Sequence, residues 1–159
     1  MKPYNSKIMK RLLTLIALAV ISTVLCAQTP KNVKYYFTEA SELNLIGKIL
    51  KDTPNPYHRV DTLKYKGFTK GENNQVRSSA GLAVLFKTNS SVISVLTEYG
   101  YMNKGVNTMG VSLRGYDLYI KKDGEWLYAA SKANGSGKED ENLVLIKDMD
   151  GSMKECMLY

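Results

Sequence analysis

The sequence predicts an all-β domain, an antiparallel β-sandwich of about seven or eight short strands in a jelly-roll-like arrangement. Three observations support this fold class. Short apolar and β-branched runs alternate along the chain with turn-forming Gly, Asn and Asp residues. No segment has the periodicity of an amphipathic helix of three or more turns. The hydrophobic fraction of 44% and the charged fraction of 23% are those of an ordinary globular domain.

The first elements after the N-terminal segment are the least defined. Val33–Thr38 alternates apolar and polar residues, which predicts a half-buried strand. Leu43–Leu50 is a short apolar run around Gly47, and it is compatible with a strand or a helical turn. Two prolines exclude regular structure over Thr53–Pro56. The Gly- and Asn-containing stretch Gly67–Asn74 predicts a loop.

Two pairs of apolar runs predict hairpins. Gly81–Lys87 is apolar on both faces, as expected for a central strand, and the chain returns after a short turn as Ser91–Thr97. Leu143–Lys147 and Met153–Tyr159 flank an Asp-Gly turn, which predicts a second hairpin at the C-terminus.

The long strand predicted for Gly110–Lys122 contains a change of phase. Apolar residues follow one alternation before Gly115 and the other after it, so we expect a β-bulge at this glycine. Asp123-Gly124 predicts a two-residue hairpin turn because both residues tolerate a positive φ. Glu125–Ala130 is the expected return strand, and Lys132–Glu141 is an expected polar loop.

Residues 1–27 predict a secretory signal peptide that leaves residues 28–159 as the mature domain. A basic start precedes an apolar run of about 14 residues, which is shorter than the roughly 20 residues of a membrane-spanning helix. We therefore predict no membrane span, and export to the periplasm or the exterior. Acylation of Cys26 is the alternative; it is disfavoured because Leu25 stands where a lipoprotein signal needs a small residue.

Loss of this segment changes the charge of the chain. Residues 1–27 hold four of the 22 basic residues and none of the 15 acidic ones, so the net charge falls from +7 to +3. With so small a charge and no basic stripe, we predict no nucleic-acid partner. Cys156 becomes the single mature cysteine, which excludes an internal disulfide. A buried free thiol is the expected state, and pairing with another chain is the alternative.

The sequence lacks the groups on which most hydrolases depend. Its one histidine is His58, and it has no Gly-x-Ser-x-Gly or Gly-Asp-Ser block. One histidine and one mature cysteine cannot build a zinc site of the usual kind. A calcium site in the acidic stretch Lys138–Asp150 is a weaker alternative. No phosphate loop or dinucleotide fingerprint is present, so we predict no cofactor and no metal.

Three residues have both a structural and a functional interpretation. His58 follows the proline segment, where anchoring a loop is its expected role. Asp117 interrupts a strand, and we expect it to accept hydrogen bonds beside Gly115, with Arg114 as a candidate partner. Trp126 follows a tight turn, and we favour packing in the core or at a domain interface over stacking on a sugar.

A family resemblance is found in the block Gly115-Tyr116-Asp117-Leu118-Tyr119. This block resembles the motif of the GxDLY domain, the N-terminal domain of SGNH/GDSL-type hydrolases from Bacteroidetes-like bacteria. Asn55–Asp61 is similar to the family's Tyr-His-Arg segment. Ser79–Ser90 is similar to its Ser-Ala-Gly-Leu strand and the turn after it, although Asn89 replaces the usual acid. With Trp126 after Asp-Gly, the resemblance extends from about residue 33 to residue 159.

The resemblance implies a β-sandwich that precedes a flavodoxin-like catalytic domain in a secreted esterase of acylated carbohydrates. In that family the nucleophile lies in a Gly-Asp-Ser block of the second domain, so it implies no catalytic residue here. We expect the catalytic SGNH domain to be absent from this chain, which stops where the family continues into the hydrolase. The structural motif residues that the resemblance assigns are Gly115, Asp117, Leu118 and Tyr119.

Three hypotheses of function are compatible with these sequence observations. The first is a non-catalytic accessory domain whose partner is the SGNH hydrolase domain and which lines a cleft for acylated carbohydrate. Its predicted interface residues are Tyr57, His58, Arg59 and Trp126. The second is a free-standing secreted or surface module that binds glycans. The third is a small enzyme of unrecognised type, which would depend on His58.

Overall fold

A computed structural model describes residues 34–100, 109–136, 138–139 and 141–159. The chain divides into two compact units, residues 1–36 and residues 37–159, and every element named below belongs to the second unit. The signal peptide predicted for residues 1–27 lies outside the described residues. In the part of the chain that is described, no helix is long and apolar enough to cross a membrane.

Seven strands, two short α-helices and one 3-10 helix make up the described fold. In chain order they are the 3-10 helix Ala40–Glu42, β1 (Asn44–Ile46), α1 (Lys70–Gln75), β2 (Ala83–Thr88), β3 (Ile93–Val95), α2 (Gly110–Arg114), β4 (Gly115–Lys122), β5 (Glu125–Ala133), β6 (Leu143–Ile146) and β7 (Lys154–Leu158).

The strands form two antiparallel sheets that enclose one core. The larger sheet has the order β1-β2-β7-β4-β5, and β3 pairs with β6 in the smaller sheet. Ile93 of the small sheet clusters with Leu118 and Cys156 of the large sheet, and all three side chains are buried. The prediction of an all-β sandwich is confirmed, and the jelly-roll arrangement stays a prediction.

Both predicted hairpins between apolar runs are wrong in their pairing. β3 does not return beside β2, and β6 does not pair with β7; instead β3 and β6 pair with each other. The two turns carry the chain from one sheet to the other. The Met149 amide donates to the Ser91 carbonyl at 3.0 Å, which ties the two crossings together. In this arrangement Ile93 is buried between the sheets.

The long strand predicted over Gly110–Lys122 begins only at Gly115. The five residues before it form α2, so the change of phase marks the end of a helix and not a bulge at Gly115. The irregularity in this ladder lies further along. Leu118 pairs with Ala130 and Tyr119 pairs with Tyr128, so that one residue of β5 is left between them.

The predicted Asp123-Gly124 turn is confirmed. It joins β4 to β5, and both residues have a positive φ, 53° for Asp123 and 91° for Gly124. This backbone twist matches the twist of the flanking strands, which is why the dipeptide is a strong hairpin signal.

The start of the fold differs from its prediction. Residues 34–39 form no strand, and the side chains of Tyr35 and Phe37 are exposed. An alternating pattern becomes a strand only where a neighbour pairs with it, and no described strand pairs with this segment. The loop predicted for Gly67–Asn74 overlaps α1 (Lys70–Gln75), which begins with a capping box between Thr69 and Glu72.

Residues 47–82, here called the β1–β2 segment, connect two neighbouring strands through mostly irregular chain. The proline stretch within it has no regular structure, as predicted. The two ends of the segment meet at a pair of glycines. Gly47 has a φ of +84°, and a Cβ atom there would lie 2.0 Å from the Gly81 carbonyl oxygen, so only glycine fits.

Candidate functional site

Tyr57 fastens the β1–β2 segment to the chain before β1. Its hydroxyl donates a hydrogen bond to the Glu39 carboxylate and accepts one from the Ser41 amide at 3.1 Å. Burial of the ring and the bond to Glu39 raise the pKa of Tyr57 above its ordinary value. The phenol therefore stays protonated and acts as a fixed donor.

His58 is half-buried and has cationic neighbours. Its backbone amide donates to the Asn55 carbonyl at 3.1 Å. Burial, followed by the charges of Arg77 and Lys48, lowers the pKa of the imidazole. A histidine base in a hydrolytic triad is oriented by a carboxylate, which favours the imidazolium. The surroundings of His58 disfavour the imidazolium.

Arg59 holds the end of α1. Its guanidinium donates to the carbonyls of Gln75 at 2.7 Å and Ser78 at 3.1 Å, and its amide donates to the Val76 carbonyl at 3.0 Å. These carbonyls lie at the C-terminus of a helix, where a cation is favoured. The guanidinium is thus already bound to the backbone of its own domain.

Trp126 lies on β5, the edge strand of the large sheet. It is half-buried and lies outside the cluster formed by Ile93, Leu118 and Cys156. The Lys121 ammonium sits 5.4 Å from the ring centroid and also donates to Glu155 at 3.3 Å. A cation over the ring occupies the face that a sugar would need. Packing of Trp126 in the core or at a domain interface stays a prediction.

A shallow depression of about 310 Å³ lies beside Lys121. It is lined by Lys87, Lys121, Asp123, Gly124, Met153 and Glu155. The lining mixes two lysines with two carboxylates.

The structure separates Trp126 from the other three predicted interface residues. Tyr57 is bonded to Glu39 and Ser41, which precede β1, and His58 and Arg59 follow Tyr57 directly. β1 and β5 are the opposite edges of the five-stranded sheet. The four residues therefore lie in two regions.

The Gly-x-Asp-Leu-Tyr motif lies on β4, next to β7. The amide and the carbonyl of Asp117 each pair with Tyr159 at 2.8 Å. Leu118 is fully buried in the core, and Gly115 opens the strand opposite Ala133. The backbone of Asp117 thus holds the end of β7, the middle strand of the sheet. A side-chain bond from Asp117 to Arg114 stays a prediction.

A serine-lysine pair that the sequence reasoning did not single out lies in the turn before β7. Lys154 Nζ donates to Ser152 Oγ at 2.9 Å and also to the Asp150 carboxylate. A lysine base must be neutral to take a proton from serine. Here Lys154 and Ser152 hold the pKa of Asp150 well below its usual range. Lys154 Nζ also donates to the carbonyls of Asp150 and Ser152 at 3.1 Å each, so it is bound by several acceptors of its own turn. The spacing Asp-Gly-Ser-x-Lys is the only signal of this cluster in the sequence.

Other chemistry is limited in the described residues. They contain no cluster of three or more His, Cys, Asp or Glu side chains that could hold a metal ion. Cys156 is a buried free thiol, as predicted, and burial raises its pKa. A protonated thiol inside the core is a poor nucleophile.

The comparisons with known proteins agree with the motif. A family model for GxDLY, described as the N-terminus of SGNH-hydrolase-type esterases, matches residues 33–159. The chain belongs to the GxDLY family. The GxDLY chain is also similar to a crystal structure from Bacteroides ovatus described as a GDSL-like lipase, with 38% identity and a TM-score of 0.63. That match covers 76% of this chain and 35% of the lipase chain, so this chain spans about a third of the lipase's length. The comparison with curated proteins finds no match.

Proposed function

We propose that the GxDLY chain is the non-catalytic N-terminal accessory domain of a secreted SGNH-type esterase. The observation that carries this proposal is the family match over residues 33–159, which describes the N-terminus of such esterases. In this proposal residues 1–27 direct export to the periplasm or the exterior, and residues 28–159 pack on the hydrolase domain and shape its cleft for an acylated carbohydrate.

The side-chain chemistry supports a non-catalytic role. The one histidine of the sequence has a lowered pKa and cationic neighbours. The lysine that contacts Ser152 donates to the Asp150 carboxylate as well as to the serine hydroxyl. Neither arrangement activates a hydroxyl for attack on an ester.

A chimera with the Bacteroides ovatus lipase tests the proposal. Residues 33–159 of this chain replace the matching segment of the lipase, and a second lipase variant lacks that segment. We expect the chimera to hydrolyse an aryl acetate, the shortened lipase to lose activity and thermal stability, and the GxDLY chain alone to be inactive.

Two results would overturn the accessory role. One is turnover by the GxDLY chain alone that disappears when a single serine is replaced. The other is a shortened lipase with unchanged activity and melting temperature.

A glycan-binding module is the second candidate, because Lys121, whose ammonium lies 5.4 Å from the Trp126 ring centroid, also lines the polar depression. A sugar that stacks on this face of Trp126 would have to displace the ammonium. This role predicts saturable binding of the GxDLY chain to a polysaccharide. Trp126→Ala would abolish that binding while the far-ultraviolet circular dichroism spectrum stays unchanged. Absence of binding to any polysaccharide tested on an array would remove this candidate.

A further inference from the structure

The outer face of the five-stranded sheet carries an apolar row. Successive strand residues point to opposite faces, and Leu118, Ile120, Cys156 and Leu158 point into the core. The residues between them therefore point outward. In register across four strands, Leu85 pairs with Met157, Met157 with Tyr119, and Tyr119 with Tyr128. These four residues are here called the outer stripe.

The outer stripe is not the surface expected of a sheet that faces water. An open sheet face normally carries polar residues in these positions. Tyr128 is nevertheless 60% exposed, and its ring meets that of Tyr119 edge-to-face at 5.9 Å. Tyrosine, tryptophan and methionine are the residues enriched at the centres of protein interfaces.

A charged row borders the outer stripe. Lys87 pairs with Glu155 in the β2–β7 register, and Lys121 pairs with Trp126 in the β4–β5 register. Lys121 is bonded to Glu155 at 3.3 Å. An apolar centre beside charged side chains is the usual anatomy of a docking surface, with the charges at its rim.

The end of the matched region lies on the same face. Tyr159 follows β7, the middle strand of the sheet, and by alternation it points the same way as Met157. Its side chain is 56% exposed, and its backbone pairs with Asp117 of the motif. In esterases of this family the hydrolase part follows the matched residues. It would therefore start beside the outer stripe, and covalent linkage raises the effective concentration of the two parts.

We propose that the outer stripe is the surface on which the SGNH hydrolase domain docks. This inference rests on the proposed function and specifies its interface. It also gives the two halves of the motif separate roles: Leu118 holds the core, and Tyr119 contacts the hydrolase. The β1–β2 segment, with Tyr57, His58 and Arg59, is then not the principal contact.

Hydroxyl-radical footprinting of the full GxDLY chain and of the lipase chimera tests the inference. We expect the oxidation rate of Tyr128 to fall by about threefold or more in the chimera, because an exposed side chain becomes buried at an interface. Met157 is half-buried already, and its rate should fall by a smaller factor. The rates of Tyr65 and Phe68, which are exposed in the β1–β2 segment, should stay unchanged.

The outcomes separate this inference from the proposed function. Protection of Tyr65 and Phe68 without protection of the outer stripe overturns the inference and leaves the accessory role intact. A chimera in which no side chain gains protection overturns both. Protection of the stripe in the GxDLY chain alone, lost on dilution, would assign it to a second copy of the chain and overturn the inference.

Paired substitutions give a second measurement. Tyr128→Ser in the chimera should split its single thermal transition into two, because the domains no longer unfold together. Tyr65→Ser is the matched control, an exposed tyrosine on a different region, and it should leave one transition. Equal behaviour of the two variants would contradict the docking role of the outer stripe.

Discussion

The backbone of the five-stranded sheet and the backbone of the β1–β2 segment are held in place by different interactions. In the sheet, Leu118 and Cys156 are fully buried and the backbone is paired on both sides. In the segment, Ile49 and Leu63 are 93% and 73% exposed, and side-chain hydrogen bonds such as that of Arg59 to Gln75 fix the path. Burial of apolar area acts cooperatively through the whole domain, whereas exposed hydrogen bonds contribute locally. We therefore expect substitutions in the sheet to lower global stability and substitutions in the segment to act near their own position.

The largest effect is expected at Leu118. Replacing it with alanine removes a fully buried side chain from between the sheets and should lower the free energy of unfolding by about 2–5 kcal/mol. Urea denaturation followed by circular dichroism measures the change. Leu127→Ala is the matched control, since Leu127 is 50% exposed on the neighbouring strand. Similar losses from both variants would contradict the position of the core.

The second-largest effect is expected at the hairpin turn Asp123-Gly124. Gly124→Val places a β-branched residue at a φ of +91° and should cost about 1–3 kcal/mol. No atom lies within 4 Å of the added Cβ, so the cost is one of backbone conformation and not of crowding. Gly151→Val is the control, because Gly151 has no positive φ and the same open space. Equal melting temperatures of the two variants would contradict the predicted strain.

A smaller and local effect is expected at the start of α1. Thr69→Ala removes the side chain that accepts from the Glu72 amide and should cost about 1 kcal/mol of helix stability. Because α1 is short and exposed, the change should appear as faster proteolysis within residues 70–75, with little change in the global melting temperature. Thr38→Ala should leave both measurements unchanged. A drop in global stability as large as that of Leu118→Ala would contradict the contrast between the two regions.

The smallest effect concerns the pH dependence contributed by His58. Its pKa in the folded state is lowered by burial and by Arg77 and Lys48, so the unfolded chain binds a proton more readily than the folded chain. Stability from this group is complete above the ordinary pKa of 6.5 and is lost as the pH falls through the folded value. His58→Gln should flatten the stability profile in this acidic window. A wild-type protein that gains stability on acidification from pH 7, relative to His58→Gln, would show that the sign is wrong.

Local chemistry was predictable where it is set by neighbouring residues. The Asp123-Gly124 turn, the buried thiol of Cys156 and the all-β class follow from turn preferences, apolar patterns and composition. The two helices are too short to show a helical period, although the capping box of Thr69 and Glu72 is readable in the sequence as a helix start.

Strand pairing was not predictable in the same way. Alternation identifies Ile93–Val95 as a strand but does not say whether β2 or β6 pairs with it, because that choice depends on contacts distant in sequence. The grouping of the candidate site residues could not be predicted either, because it also depends on contacts distant in sequence. Tyr57 is bonded to the chain that precedes β1, and Trp126 lies on β5 at the opposite edge of the sheet, which only the strand order shows.

The meeting of Gly47 with Gly81 has a consequence for the length of the chain between them. Both ends of that connection are fixed at one point, beside the paired residues Ile46 and Ala83. The entropy of closing such a loop grows only with the logarithm of its length, so a doubling costs about 0.6 kcal/mol. We therefore expect insertions and deletions to be tolerated between the two glycines without a shift in the β1–β2 register. A larger residue at Gly47 would remove that tolerance, because its Cβ would meet the Gly81 carbonyl oxygen and separate the points at which the loop closes.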